Sequence, residues 1–301
     1  MERKTRMDTF GAVSLVGFAL LLAFNQVGIK ITNEGFQPVF FAGIRSVGSG
    51  ILVALWIMAR GRSLRIERRF WGLALAIGVC FSAEFILLFT ALDLGSVART
   101  SVIFYTMPVW LALIAHFVLP DERLSPTKAL GLALAFGGAA WAILDRSSGG
   151  EGGNAPSLIA DICALGGAMG WAGVALLVRG TRLRELRPDL QHLSQLVVSA
   201  PILLIAAFFF GPFIREVELI HYAGLAFQIV VISGAGFLFW IWLLSIYPAS
   251  SVASFSFLSP IFGIALGWLI LGEHVGPQTA GAGALVAIGL ILINRRPRHP
   301  G

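Results

Sequence analysis

Apolar residues in this chain come in long blocks without strict alternation, broken by short polar clusters. A bilayer-spanning helix needs roughly 20 mostly apolar residues, and ten stretches meet that need: Phe10–Ile29, Pro38–Ala59, Phe70–Leu92, Val97–Leu119, Lys128–Leu144, Leu158–Val178, Leu190–Phe210, Tyr222–Tyr247, Ala249–Leu271 and Gln278–Ile293. Within lipid only helices or closed barrels satisfy the backbone. Runs this long and non-alternating predict helices, and the short connections predict antiparallel neighbours. The fold class is an all-α polytopic membrane protein with ten transmembrane helices.

One stretch occurs twice. Without a gap, Gly72-Leu73-Ala74 falls on Gly224-Leu225-Ala226, Leu92 on Leu244, Pro108 on Pro260 and Leu119 on Leu271. A repeat of this kind decides the architecture. The low-complexity segment Ser147–Ser157, SSGGEGGNAPS, reads as a flexible linker. It divides the chain into a first repeat (1–146, helices one to five), the linker (147–157), a second repeat (158–294, helices six to ten) and a basic tail (295–301). Five helices per half place the halves in opposite orientations. Inverted repeats are typical of secondary transporters, whose substrate site lies near the midplane between the halves.

Composition agrees with the pattern. Of 301 residues, 57% are hydrophobic and 13% charged, against roughly 25% charged in soluble domains. The formal charge of +6 comes from clusters at Arg3, Lys4 and Arg6, at Arg60, Arg62, Arg65, Arg68 and Arg69, at Arg123 and Lys128, at Arg179, Arg182, Arg184 and Arg187, and at Arg295, Arg296 and Arg298. With both termini cytoplasmic, all of these lie inside, and only Lys30, Arg146 and Arg215 lie opposite, as the positive-inside rule demands. The basic balance therefore reports orientation in a bacterial inner membrane, and no nucleic-acid partner is expected. The N-terminal run has no small-residue cleavage site and is read as a retained helix. Cys80 and Cys163 are not spaced for a metal or a disulfide. No cofactor is expected.

Ionisable groups inside spans are costly and become functional candidates. Glu84 stands near the middle of the third helix among Phe81, Phe85 and Ile86; its repeat counterpart is Gly236. It can hold a substrate amine, take up a proton or serve a structural hydrogen bond. Arg45 is the expected buried cation; it can pair Glu84, attract a substrate carboxylate, snorkel or cap a neighbouring helix. Arg99 is expected to pair with the nearby Asp93 at the membrane surface, with a role in a gate as the alternative, and Lys30 is expected to reach solvent. Asn25 and Gln26 are neutral hydrogen-bonders at depth. Gln195 and Gln228 are weaker candidates, Gln228 being placed shallower. His116 and His192 are read as satisfied residues towards the cytoplasmic ends of their spans. Pro108 and Pro260 are expected to bend their helices near mid-span, beside Ser101 and Tyr105 in one copy and Ser254 in the other. Trp171 and Trp240 are candidate cavity rings. Ala129, Ala133 and Gly137 form a small-residue ridge for close packing, as do Ala280 with Ala284 and Gly283 with Ala287; a dimer contact is a second use open to such a ridge.

The residues Ala91-Leu92-Asp93-Leu94-Gly95-Ser96, Met107-Pro108 and Leu119-Pro120-Asp121-Glu122, with Ile246-Tyr247-Pro248-Ala249, Ser259-Pro260 and Leu271-Gly272-Glu273 in the second copy, resemble the EamA family of the drug/metabolite transporter (DMT) superfamily. The first copy departs from the pattern, with Pro-Asp-Glu where Gly-Glu is usual. Size and helix number are similar to bacterial amino-acid exporters of the YddG type. The resemblance implies two five-helix repeats, alternating access and a small-molecule substrate. It leaves the substrate open between amino acids and other effluxed metabolites or drugs, such as purines. The partners implied are that substrate, the lipid bilayer and, if transport is coupled, protons; a monomer is expected.

What is absent also narrows the class. Phosphorylated or nucleotide-linked substrates need several deep cations, and the second half has no lysine within its spans. No acidic ladder suggests a metal pathway, and no Ser/His/Asp set converges at one depth. The chain is therefore not read as an enzyme. A membrane enzyme on a lipid-linked substrate and a non-transporting scaffold remain as rival classes.

Overall fold

The computed structural model describes residues 8–119, 124–145, 157–247, 255 and 257–294. The elements are α1 (Thr9–Gly35), α2 (Pro38–Ala59), α3 (Trp71–Leu94), α4 (Val97–Phe104), α5 (Met107–Val118), α6 (Pro126–Leu144), α7 (Leu158–Gly180), α8 (Pro188–Ala207), α9 (Leu219–Phe227), a π-helical segment (Gln228–Gly236), α10 (Phe237–Ile246), α11 (Leu258–Leu271) and α12 (Pro277–Asn294). Among the described residues nine helical stretches are long and apolar enough to cross a bilayer, and Leu258–Leu271 is a shorter apolar helix. The protein is a multi-pass membrane protein. Large apolar side chains such as Ile51, Leu75, Val197 and Leu269 lie exposed on helix faces, where lipid replaces water as the solvent.

Proline and small polar residues set where helices begin. Pro38, Pro126 and Pro188 each occupy the first turn of a helix, where the missing N–H would have had no partner. Gln37 and Ser125 precede the first two of these and cap them, accepting from Phe40 N and Lys128 N. Pro108 and Pro260 follow the same rule, so the expected interruption takes the form of a helix start and not of a bend within one continuous helix. The fourth span breaks at Tyr105–Thr106, and Pro108 lies in the first turn of α5. Pro260 lies in the first turn of α11. The eighth span is also not a uniform helix: its middle is π-helical.

The Leu-Gly-Glu sequence that closes the ninth span has a clear local role. Gly272 ends α11 with φ +64°, a left-handed position that favours glycine. Glu273 then turns its carboxylate onto the N-terminus of α4. It accepts from Val97 N at 2.6 Å and Ala98 N at 2.8 Å, while Ser96 accepts from Arg99 N at 3.2 Å. A carboxylate at a helix N-terminus satisfies orphan donors and complements the helix dipole. The corresponding Asp121 and Glu122 of the first copy lie outside the described residues.

The chain divides into two compact units. One comprises 1–27, 95–158 and 238–301, the other 28–94 and 159–237. Each draws helices from both sequence halves, so units and sequence repeats are different partitions of the chain. In the first unit, α6 and α12 meet along a glycine seam. A Cβ on Gly131 would stand 2.7 Å from Gly289 O, and one on Gly138 would stand 2.7 Å from Ala282 O. The expected ridge Ala129–Ala133–Gly137 is exposed instead, as are Ala280 and Ala284, while Gly283 and Ala287 are buried. The same i, i+4 spacing occurs on two faces of α6, and periodicity alone did not say which one carries the contact.

In the second unit, α8 packs against α2 and α3, with Gly43 against Leu204 and Gly78 against Val198. The Ser199 hydroxyl donates to Ser46 Oγ at 3.1 Å. Ion pairs close both ends. At one end Asp189 accepts from Arg62 (3.3 Å) and from Arg187 Nε (3.0 Å), its side chain 5% exposed. Asp189→Ala is expected to lower stability by about 1 kcal/mol, since the arginines are largely solvated. The loss should shrink as salt screens the pairs, a difference that thermal unfolding at low and high ionic strength will read. At the other end Asp93 accepts from Arg215 at 2.7 and 3.0 Å, and Arg215 also donates to Asn33 O. Lys30 donates to Asp93 O at 3.2 Å and is half-buried, not simply solvated. Arg99 does not form the expected pair with Asp93. It donates to the carbonyls of Ile143 and Asp145 at 3.1 and 2.8 Å, closing the C-terminal end of α6.

Candidate functional site

The second unit buries a polar cluster contributed by four elements. It starts from α3, where Phe81, Phe85 and Phe89 stack in a column with centroids 4.2 and 5.3 Å apart. Glu84 projects from the same stretch and is 5% exposed. Among the described residues its carboxylate has no hydrogen-bond partner. A helix with so apolar a neighbourhood hides one charge only because the opposing helix comes unusually close. On α7, Gly166, Gly170 and Gly173 lie against Leu87, Glu84 and Cys80 of α3. These are matched i, i+4, i+7 ladders, and small residues let backbones approach in this way. At Gly170 the approach is to backbone as well as side chain: an added Cβ would stand 3.1 Å from the Cα and Cβ of Glu84.

Arg45 enters from α2 and is also 5% exposed. Its Nε donates to Gln228 Oε1 at 3.0 Å, and its guanidinium lies 4.6 Å over the Phe85 ring. Its charge interacts with that of Glu84, but no ion pair closes between them. Its Nη1 is buried without a hydrogen-bond partner. Gln228 opens the π-helical segment and is fully buried. Further along that segment, Ser233 Oγ lies 3.3 Å from His192 Nε2. The His192 ring stacks on Phe237 with centroids 3.8 Å apart. Isolated buried charges are strongly disfavoured unless something offsets them. Here the offsets are a neutral amide, an aromatic face and an opposite charge at a distance. The carboxylate and one guanidinium nitrogen are left without hydrogen-bond partners among the described residues.

The other sequence candidates lie in the first unit. Ser101 donates to Gln26 Oε1, and Gln26 Nε2 is buried without a partner. Tyr105 is buried and hydrogen-bonded to Ser259. Asn25 is half-buried. Trp240 stacks on Phe18 at 5.0 Å. Trp171 belongs to the second unit, half-buried and adjacent to Gly170. Ser254 lies outside the described residues. The structure thus brings together Glu84 and Arg45, with Trp171 on the adjoining helix, and separately Gln26 with Ser101.

Sequence reasoning underrated three members of the cluster. Gln228 and His192 are weaker candidates from the sequence, yet both are buried and bonded within the cluster, Gln228 to Arg45 and His192 to Ser233. Gly170 was not singled out, although Gly166, Gly170 and Gly173 share one helical face.

Bilayer-length helices in duplicate, with ionisable side chains buried inside them, define a polytopic membrane protein of the transporter kind. The chain belongs to the EamA-like transporter family, which matches residues 9–144 and 158–295. It is 22% identical to the uncharacterized transporter YoaV of Bacillus subtilis (strain 168), over 93% of this chain and 95% of that one. It is 28% identical to the uncharacterized transporter YvbV of the same organism, over 93% and 92%. A probable amino-acid metabolite efflux pump of Salmonella typhimurium is 26% identical over 96% and 95%. A solved crystal structure shares the fold with a TM-score of 0.66 at 18% identity, covering 94% of this chain and 97% of that one.

Proposed function

We propose that this transporter exports small amphipathic metabolites, amino acids foremost, across a bacterial inner membrane by alternating access, with both termini cytoplasmic. The observation that carries the reading is Glu84: a buried carboxylate, free of hydrogen bonds among the described residues, held beside an aromatic column and opposite an arginine. An ammonium group satisfies such a carboxylate better than any neighbour it has, and the phenylalanines accommodate an apolar side chain. Support comes from the relative named as a probable amino-acid metabolite efflux pump. The reading makes the chain a carrier and not an enzyme. The two sequence repeats are its inversely oriented halves, and the helix starts at Pro108 and Pro260 are its points of flexure.

Glu84→Gln is expected to lower amino-acid efflux from loaded vesicles by roughly tenfold or more, the cost of removing the charged partner of a buried ammonium. Efflux at the wild-type rate would remove Glu84 from the mechanism. No efflux of any amino acid by the wild-type protein would overturn the substrate assignment.

A further inference from the structure

We infer that Arg45 is the anchor for a single substrate carboxylate and that Gln228, by holding Arg45 without neutralising it, sets that specificity. The inference rests on the reading of the Glu84 cluster as the substrate site. It deepens that reading by assigning the anion subsite and the residue that tunes it.

A guanidinium carries five N–H donors and stays charged in proteins. Arg45 spends Nε on Gln228 Oε1 and its face on Phe85. Nη1, enclosed and without a partner, is the feature that a purely structural arginine would lack. A buried donor left unmade is costly, more so when charged, and such groups in native proteins call for an explanation. The neighbours do not supply one. Phe85 and Glu84 come from α3, His192 from α8 and Gln228 and Ser233 from the π segment. Of these only Glu84 is an acid, and it makes no ion pair with Arg45.

The identity of residue 228 is the decisive detail. A glutamate there would reach the same Nε, close a charge-assisted pair and bury Arg45 quietly. Glutamine gives the geometry and withholds the charge. The guanidinium is therefore oriented, and its positive charge stays available. Among the described residues of this unit, Arg45 is also the one buried guanidinium or ammonium group. One cation and one carboxylate that interact at a distance without closing an ion pair suit a molecule that carries one of each. They do not suit a dianion. Nη1 is enclosed in this conformation, so a carboxylate reaches it in another state of the transport cycle.

The test uses the full chain purified in detergent and three probes with one side chain: leucine, isoamylamine, which lacks the carboxylate, and 4-methylpentanoate, which lacks the amine. Binding is measured by titration calorimetry for wild type, Gln228→Glu and Glu84→Gln, with melting curves confirming the fold. Gln228→Glu supplies Arg45 with an internal anion. It is expected to weaken leucine and 4-methylpentanoate by about tenfold or more and to leave isoamylamine within about twofold. Glu84→Gln should do the reverse, weakening leucine and isoamylamine and sparing 4-methylpentanoate. Should Gln228→Glu fail to fold, Arg45→Gln is expected to give the same selective loss of the two carboxylates. Unchanged leucine and 4-methylpentanoate binding in Gln228→Glu would overturn the Arg45 subsite while leaving the Glu84 reading intact. Unchanged isoamylamine binding in Glu84→Gln would overturn the Glu84 reading alone. A wild-type protein that binds none of the three would overturn both.

Discussion

Gly289→Ala is expected to destabilise the protein by about 3 kcal/mol, although alanine is the better helix former by about 1 kcal/mol. The reversal of sign comes from the seam between α6 and α12. A Cβ on Gly289 would stand 2.5 Å from Gly131 O and 2.8 Å from both Ala135 N and Ala135 Cβ. Backbone oxygens and amides cannot rotate away as a side-chain tip can, so the two helices must separate. Separation forfeits dispersion contacts along the whole seam, and in lipid this close packing is the chief force between helices. Gly137→Ala on the other face of α6 is the control. An added Cβ there meets nothing within 4 Å, so the change should be neutral or slightly stabilising. Unfolding in detergent followed by circular dichroism will rank the two. Equal stabilities would mean that the glycine seam is not a close contact.

Helix number and type were legible because both follow from composition and run length, which the bilayer constrains severely. The repeat was legible because glycine, proline and the closing acid fall at fixed positions. Side-chain partnerships were not legible, and particular residues show why. Arg99 and Asp93 are close in sequence, yet each bonds elsewhere, since Asp93 ends α3 beside Arg215 and Arg99 begins α4 beside the end of α6. Sequence proximity across a helix break carries no information on direction. Gln228 was legible only as a weak candidate, since nothing in its local sequence shows that it bonds to Arg45 of α2. The ridge on α6 was assigned to the wrong face because both faces carry small residues four apart. Glu84 and Arg45 were legible as candidates, since a charge inside an apolar run stands out whatever its neighbours. What joins them, Gln228 and Gly170, is neutral and small, and became visible only when the helices were in place.

Gly170→Val is expected to lower amino-acid transport by roughly a hundredfold, the order of loss that a displacement of about 1 Å inflicts on a preorganised site. The residue touches no substrate in the proposed arrangement. It acts because its hydrogen stands where any other residue would place a carbon 3.1 Å from the Cα and Cβ of Glu84 and 3.2 Å from its backbone nitrogen. Valine adds two further methyl groups to that contact, so α3 must move away from α7 at the position of the buried carboxylate. The displacement alters the separation of Glu84 from Arg45, which is fixed on α2 by Gln228 and Phe85. A molecule carrying both charges at a set spacing should lose more than one that uses either alone. Initial rates in reconstituted vesicles should therefore fall further for leucine than for isoamylamine. Gly173→Ala, whose added Cβ would lie an ordinary 3.7 Å from Cys80 Sγ, should transport both normally. Wild-type rates in a folded Gly170→Val protein would show that the spacing between the two buried charges does not govern recognition.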